Sequence, residues 1–600
     1  MSHSHHGGGS SSTGTGTFKE KNRELAEAYW YLVASAVGLA GVVRAISYVQ
    51  VVSRRRKGQG QSTLSPSRPT GPLSQLWATT TALAREASYP QVHVPLRYLS
   101  WISPPPLGRV LILLSYWAVV VYMMAAGSVV RDAYFWERIA FRNAWVSVTQ
   151  VPLVYMLAMK SINPVSLLTG LSHERLNWLH RWVARTLLVT ATVHGFHFWR
   201  QWVIADFVAL ELKIMPSVKY GLGAWAVLLW SAATSLYPVR ERAYEVFVAQ
   251  HLVSVVVLLW LLYMHLPPVA AYNLWLSVGL IAADRAARWG LLAARNVKLR
   301  VGRAPCEGRR RVGHEALVRA EGAVSVVTIK DMHFHWQPGQ HLYLWMPALG
   351  PLETHPYTIA CAHRVRGECV CNSAELVVRK HSGFSRRLHA AAWKAQEGGG
   401  LLRATAFVSG PYGNPPAWDV YDTVILIAAS TGASFTMPIL EDVVRCRQRT
   451  CLRRVEFALS ARENEDVGFY VSRLREALEG HADADIKLRA HVAITGPTPS
   501  PLGPSGGSSS PTSHSPEKNP PETVAGAPEA LRHYGARLDI ASIIRGPVEA
   551  ARGETLVVVC GGRALVARVR NCVARLSDER GVHKGTGAQG IRLHAEEYSF

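Results

Sequence analysis

Four histidines have the residue type and the spacing for redox chemistry. His180 and His194 bracket "HRWVARTLLVTATVH", and His251 and His265 bracket "HLVSVVVLLWLLYMH". Each pair is 14 residues apart, with mostly apolar filling. On an α-helix 14 residues is just under four turns, so both histidines of a pair share one face, about 21 Å apart. That is most of the way across a hydrocarbon core about 30 Å thick. Ionisable residues inside a membrane segment mark function by default. Two such helices facing each other offer two stacked His/His pairs, one near each membrane surface. A bis-imidazole pair is an axial ligand set for six-coordinate haem iron, and two stacked haems make an electron path across a bilayer. The competing reading for any one of them is a hydrogen-bonded core histidine. His173 and His197 lack the paired spacing, and His197, one turn beyond His194, reads as a surface residue.

Positioning those histidines requires membrane helices. Hydrophobic runs near residues 27–51, 109–130, 141–160, 178–199, 218–237, 244–266 and 271–290 predict seven spans. The first ends in "SRRRKG" and the last is followed by "RAARWGLLAARNVKLR". Basic flanks belong on the cytoplasmic side, which puts the amino terminus outside and the carboxyl terminus in the cytosol. The fourth and sixth spans then run parallel. His180 is expected to pair with His251 on the cytoplasmic side, and His194 with His265 on the far side.

The formal charge of +23 is spread along the chain, and no nucleic-acid motif accompanies it. It fits basic cytoplasmic flanks and a surface for anionic cofactors. All eight cysteines lie between Cys306 and Cys572, in the half placed in the cytosol, which argues against a disulfide framework. The Cys369–Cys371 pair, "CVC", is a weak metal signal without a second pair. Residues 1–24 open on a Gly/Ser/His-rich stretch and are expected to be a disordered extracellular tail.

Behind the membrane half, short alternating runs punctuated by Gly and Pro predict a small antiparallel barrel over residues 296–415. From residue 419 the pattern becomes strand, turn, helix. "YDTVILIAAS", "RRVEFALSAR" and "GETLVVVCGG" read as parallel strands, and the turn–helix junctions suit phosphate. Residues 495–530 form a Pro/Ser/Gly-rich insertion, expected to be disordered and dispensable.

These motifs together resemble the fungal ferric-chelate reductases, within the wider ferric reductase and NADPH oxidase superfamily. The resemblance runs from about residue 108 to the end. "RLNWLHRWVARTLLVTATVH" resembles the first haem helix of that family. "HPYT" resembles its flavin-holding motif, which implies roles for His355, Pro356, Tyr357 and Thr358. "VVRKHSGFSRRL" resembles the segment that meets the flavin phosphates, implying Arg379 and Ser385. "GPYG", from Gly410, resembles the turn joining the two soluble subdomains, and "CGG" resembles the turn beside the nicotinamide, implying Cys560 and Gly561. "EEYSF" resembles the acidic-aromatic terminus, with Phe600 over the flavin ring. The glycine-rich nucleotide turn departs from the family pattern. It reads "ASTGAS", with Ala429 and Ser430 at glycine positions and Thr431, Gly432 and Ser434 left to bind phosphate. Arg462 and Arg537 are candidates for the 2′-phosphate of NADPH, although Arg537 lacks the proline that usually follows it.

The resemblance implies a multi-domain chain. A polytopic α-helical membrane bundle of about seven helices (25–292) precedes a ferredoxin-reductase-like antiparallel β-barrel FAD domain (296–415) and an α/β nucleotide-binding NADPH domain (419–600). It implies two b-type haems, FAD and NADPH, with His180, His194, His251 and His265 as the iron ligands. The expected activity is electron transfer from cytosolic NADPH through FAD and the haems to an extracytoplasmic Fe(III) chelate or Cu(II). An NADPH oxidase making superoxide, and a non-catalytic haem-binding sensor or scaffold, stay open at this point. The lipid bilayer is the expected surrounding, a metal permease or oxidase an expected partner, and the plasma membrane the expected location, with a vacuolar or other endomembrane as the alternative.

Overall fold

The computed structural model describes residues 12–58, 65–95, 102–297, 310–363, 372–445, 450–463, 467–479, 486–496, 531–584 and 589–597. The chain divides into two compact units, one from Met1–Ile46 with Leu111–Trp289 and one from Ser47–Val110 with Gly290–Phe600.

The first unit is helical. Its elements are α1 (Ser12–Gly58), with α2 (Pro72–Ser88) lying in the following loop, then α3 (Leu107–Ala125), α4 (Phe135–Ala158), α5 (Pro164–Thr169) and α6 (His173–Ile204). After them come α7 (Val208–Ile214), α8 (Pro216–Thr234), α9 (Tyr237–Arg242), α10 (Tyr244–His265) and α11 (Ala271–Asn296). A helix covers each of the seven segments expected to span. Three stretches are long and apolar enough to cross a membrane by length and composition: Lys21–Gly58, Leu107–Ala125 and Tyr244–His265. The helices α4 and α6 carry too many polar residues to qualify on that measure. In α4, Arg142, Asn143, Thr149 and Gln150 are buried. Asn143 and Thr149 bond back to carbonyls of their own helix, Ile139 and Trp145, while Arg142 and Gln150 find partners on neighbouring helices. Tyr116 Oη donates to Gln150 Oε1 at 2.7 Å, and Ser147 Oγ donates to Thr190 Oγ1 at 2.8 Å. Burial of a polar group without such a partner would cost several kcal/mol in hydrocarbon, roughly the penalty for one lost hydrogen bond there.

The expectation of a disordered tail over residues 1–24 is corrected from Ser12 onward, where α1 begins. The "KEKNRELAEAYWYL" stretch is made of strong helix formers. Asn22 anchors it by accepting from Arg142 Nε at 2.5 Å.

The second unit holds two sheets. The first contains β1 (His314–Glu321), β2 (Val324–Met332), β3 (His341–Trp345), β4 (His355–Thr358), β5 (Asn372–Arg379) and β6 (Leu402–Tyr412), with α12 (Gly383–Glu397) after β5. Among the described residues its pairings are antiparallel and the order is β4-β3-β6-β1-β2-β5. A bridge between Ile359 and Leu376 joins the two ends and makes the sheet a barrel, as the alternating pattern predicts. Its interior is apolar, with Leu342, Leu344, Ile329 and Trp336 among the residues buried there.

The second sheet contains β7 (Thr423–Ala429), β8 (Arg454–Ala461), β9 (Lys487–Ile494), β10 (Leu531–Tyr534), β11 (Thr555–Gly561) and β12 (Ile591–Glu597). All pairs are parallel and the order is β10-β9-β8-β7-β11-β12. Between them run α13 (Ala433–Arg445), α14 (Gly468–Glu479), α15 (Ile540–Glu549) and α16 (Arg563–Arg580). Continuous apolar runs such as "TVILIAA" are what a strand covered on both faces requires. The chain starts at the centre on β7, winds out to β10, then returns to place β11 on the other side. The strand order therefore reverses between β7 and β11. Ligands of open α/β sheets bind at such a reversal, outside the carboxyl ends of the strands.

The end of α1 and part of the loop between α1 and α3 belong to this second unit and line the amino edge of the parallel sheet. Arg54 pairs with Glu554 at 2.8 Å, and Arg55 pairs with Asp419. Ser67 Oγ accepts from Glu554 N at 2.9 Å. Gln91 and Asn571 exchange two bonds of 2.9 Å each, and Tyr89 Oη accepts from Leu593 N at 3.1 Å. Gly553 is required under this strap, since a Cβ there would lie 2.0 Å from Ser67 Oγ.

Candidate functional site

In the helical unit, carbonyls hold three of the four paired histidines at Nδ1. His180 Nδ1 lies 2.9 Å from the carbonyl of Val154, His194 Nδ1 2.9 Å from that of Ala140, and His265 Nδ1 2.8 Å from that of Ser217. A carbonyl only accepts, so each of these three Nδ1 atoms carries the proton and donates. The tautomer is thereby fixed and Nε2 keeps its lone pair for a metal, the usual support of a ligating histidine. Ala140 and Val154 are themselves 14 residues apart on α4, so one helix holds both histidines of α6.

The rings of His194 and His265 have centres 6.1 Å apart at an angle of 61°. An imidazole nitrogen bonds a metal at about 2.0–2.1 Å and sits about 1.1 Å from its ring centre, so two rings across one iron stand about 6.3 Å apart. The observed separation fits one iron between them. The Nδ1 of His251 is buried with no hydrogen-bond partner among the described residues, and its ring stacks on Phe247 at 5.5 Å. Gly221 on α8 packs directly on His265, and a Cβ there would come within 2.6 Å of the ring. His197 donates within its own helix to Val193 and sits beside Trp136, apart from the four. His173 Nδ1 is buried and unpartnered among the described residues.

In the barrel, the strand β4 carries His355, Pro356, Tyr357 and Thr358 in register with Leu344, Tyr343, Leu342 and His341. The His355 ring stacks on Phe384 at 4.9 Å, and its Nε2 lies 3.4 Å from Glu353, which also receives Arg387 at 2.6 Å. Burial, with the nearby Glu353 carboxylate, pushes the Tyr357 phenol above its usual range. Ser385 Oγ is committed locally, accepting from His381 N at 3.1 Å and donating to the Ser382 carbonyl at 3.0 Å. Arg379, at the end of β5, donates from Nη1 to Ser430 Oγ at 3.2 Å. Gly410 has φ 146° and abuts the backbone of His341 and Leu342, while Gly413 has φ 97° and accepts from Gln340 Nε2 at 3.0 Å. Both positions suit only glycine.

At the strand reversal, Ser430–Gly432 form a single tight turn between β7 and α13, placing Thr431 and Gly432 at the helix start. Ser434 is not free at that start. It is buried, with its Oγ 2.5 Å from Tyr470 Oη. Cys560 pairs with Ala428 on one side and Glu596 on the other, so it lies beside the turn. Burial first, then the Glu596 charge, pushes its thiol well up, which keeps it neutral. Gly561 meets Leu565 and Ala429 so closely that a Cβ would be 2.9 Å from Leu565. Arg462 follows β8, Arg537 follows β10, and both are exposed with no ion pair among the described residues. Both therefore stand on the carboxyl side of the sheet. Phe600 lies outside the described residues, as do Cys369, Cys371 and most of the insertion.

Sequence reasoning missed the junction of barrel and parallel sheet. Arg473 of α14 reaches Glu375 at 2.6 Å, the Ala360 carbonyl at 3.1 Å and Glu441. Ala362 N donates to Glu441 Oε2 at 3.1 Å. Buried charges of this kind are kept when paired and hydrogen-bonded, and these tie the two folds together. No local pattern in "FYVSRLREAL" distinguishes Arg473 from a surface arginine.

Comparison with known families agrees with this layout. Residues 143–262 match the ferric reductase like transmembrane component, 314–416 an FAD-binding domain, and 421–574 the ferric reductase NAD binding domain. Among curated relatives, a probable cell surface ferric reductase, kap2, of Aspergillus oryzae is 28% identical over 56% of this chain and 45% of its own length. The ferric/cupric reductase transmembrane component 2 of Schizosaccharomyces pombe is 24% identical over 52% of this chain and 60% of its own. Component 7 of Saccharomyces cerevisiae is 25% identical over 55% and 51%. The chain thus spans about half the length of the curated relatives it matches. With the transmembrane component, the FAD-binding domain and the NAD-binding domain in that order on one polypeptide, the chain belongs to the ferric reductase family.

Proposed function

We propose that this chain is a membrane metalloreductase. It moves electrons from cytosolic NADPH, through FAD and two b-type haems, to an extracytoplasmic Fe(III) chelate or Cu(II). The observation that carries this reading is the His194–His265 pair. Two rings 6.1 Å apart, each held by a carbonyl at Nδ1 and so free at Nε2, fit a bis-imidazole iron site. Relatives named as ferric or ferric/cupric reductases support the choice of acceptor.

When bound, FAD takes the two electrons of a hydride and releases them singly, as haem iron requires. The chain supplies binding and distance. His180 with His251, and His194 with His265, hold the two irons, and carbonyls of α4 and α8 keep three of the rings turned. The segment His355–Thr358 and Arg379 hold the flavin. Thr431 and Gly432, with Arg462 and Arg537, hold the phosphates of NADPH at the strand reversal. Cys560, neutral and buried, presents an uncharged wall beside the nicotinamide. No side chain donates or removes a proton in the electron transfer itself. The seven-span bundle sits in the plasma membrane with its carboxyl domains in the cytosol, and a metal permease or oxidase is the expected neighbour.

The test is turnover by purified membranes with NADPH and one acceptor at a time. Ferrous-chelate or cuprous formation that superoxide dismutase leaves unchanged is the expected result. Stoichiometric superoxide without direct metal reduction would make the protein an oxidase.

A further inference from the structure

Arg379 and Ser430 come from different folds, the barrel and the parallel sheet, and yet Arg379 Nη1 donates to Ser430 Oγ at 3.2 Å. Ser430 has φ 47°, in the left-handed region. A residue with a Cβ is strained there, glycine is not, and asparagine tolerates the position better than most. It stands where the strand order reverses, between β7 and the start of α13. A serine kept in a strained backbone state at the seam of two nucleotide-binding folds calls for a reason, and its hydroxyl supplies one. It accepts from the arginine that ends β5 and aims the guanidinium at the seam.

We infer that Ser430 is a positioning residue for flavin binding. Its side chain sets Arg379 for the anionic phosphates of FAD, and through Arg379 it couples flavin occupancy to the nicotinamide turn. This rests on the reading of the two folds as flavin and NADPH domains. A charged guanidinium loses a directed acceptor when the hydroxyl is removed, and its aim toward the phosphates is then less well set.

Three variants of the full-length protein separate strain from hydrogen bonding. Ser430→Gly removes both, Ser430→Ala removes only the acceptor, and Ser430→Asn keeps an acceptor on a residue suited to the left-handed region. Flavin affinity is read by titrating deflavinated protein with FAD, fold integrity by thermal unfolding, and coupling by the NADPH KM. Ser430→Gly is expected to unfold at the same temperature as the parent or higher, yet to bind FAD about tenfold more weakly with a raised NADPH KM. Ser430→Asn is expected to stay within about twofold of the parent for both. Ser430→Gly binding FAD as tightly as the parent, or Ser430→Asn losing as much as glycine, would overturn the proposal. If alanine compromises folding, the glycine and asparagine variants decide. Parent protein that fails to bind FAD at all would instead overturn the flavin reading beneath it.

Discussion

Gly221 leaves no room for a single added carbon beside His265. A methyl group at that position must displace the imidazole that Ser217 holds beside His194. Gly221→Ala is therefore expected to lose most of the haem held by His194 and His265 while keeping the other haem and the flavin. His194→Ala should do the same by removing the ligand itself. Haem-to-protein and flavin-to-protein ratios in the purified variants check both, and a full haem complement in His194→Ala would remove that histidine from the ligand set. A charged hydrogen bond to phosphate is worth about 1.5–3 kcal/mol, so Arg462→Ala should raise the NADPH KM about tenfold or more and leave NADH nearly untouched. Equal effects on both coenzymes would assign the 2′-phosphate to another residue. The four histidines were legible in the sequence because their geometry is local to a helix. Ser430 was visible only as a departure from a glycine pattern, since its partner Arg379 lies 51 residues away.

The strap that lines the parallel sheet shows where element-level reading stops. Its bonds join residues about 500 positions apart, such as Arg54 with Glu554, and no periodicity reports them. Both side chains are largely buried, with 15% and 11% exposure. Breaking such a pair strands the surviving charge at a cost of about 3 kcal/mol. Arg54→Glu should lower the unfolding midpoint of the soluble unit, and the double exchange Arg54→Glu with Glu554→Arg should recover much of it. No recovery would mean that the pair is incidental to the docking. The Pro/Ser/Gly insertion was legible as low-complexity sequence, and how much of it can be removed depends on the strands it joins. The parallel pairing of β9 with β10 requires the link from Ile494 to Leu531 to cross over, and such crossovers take about a dozen residues or more. Removing 499–528 leaves too few residues for that path and should impair NADPH-dependent flavin reduction, whereas removing 505–524 should be tolerated. Equal activity in both deletions would show that β10 is not needed.

At the scale of the whole molecule, the order of parts was readable because each announces itself differently. Apolar runs mark the membrane half, period-two alternation the barrel, and continuous apolar strands the parallel sheet. The strands β9 and β10 were harder to find, and β10 is only four residues. Composition suggested a tail for residues 12–24, where the structure has helix. The central claim is that electrons supplied as NADPH on one face emerge at a metal on the other through two bis-histidine haems. Sealed vesicles with the soluble domains outward, an Fe(III) chelate and a ferrous indicator trapped inside, and NADPH added outside test it directly. The account predicts reduction of a low-spin haem spectrum followed by ferrous iron in the lumen, with the lumenal iron reduction lost in His194→Ala while the haem on His180 and His251 is still reduced. Flavin reduction with ferrous iron formed only outside the vesicles, unchanged by His194→Ala, would contradict it.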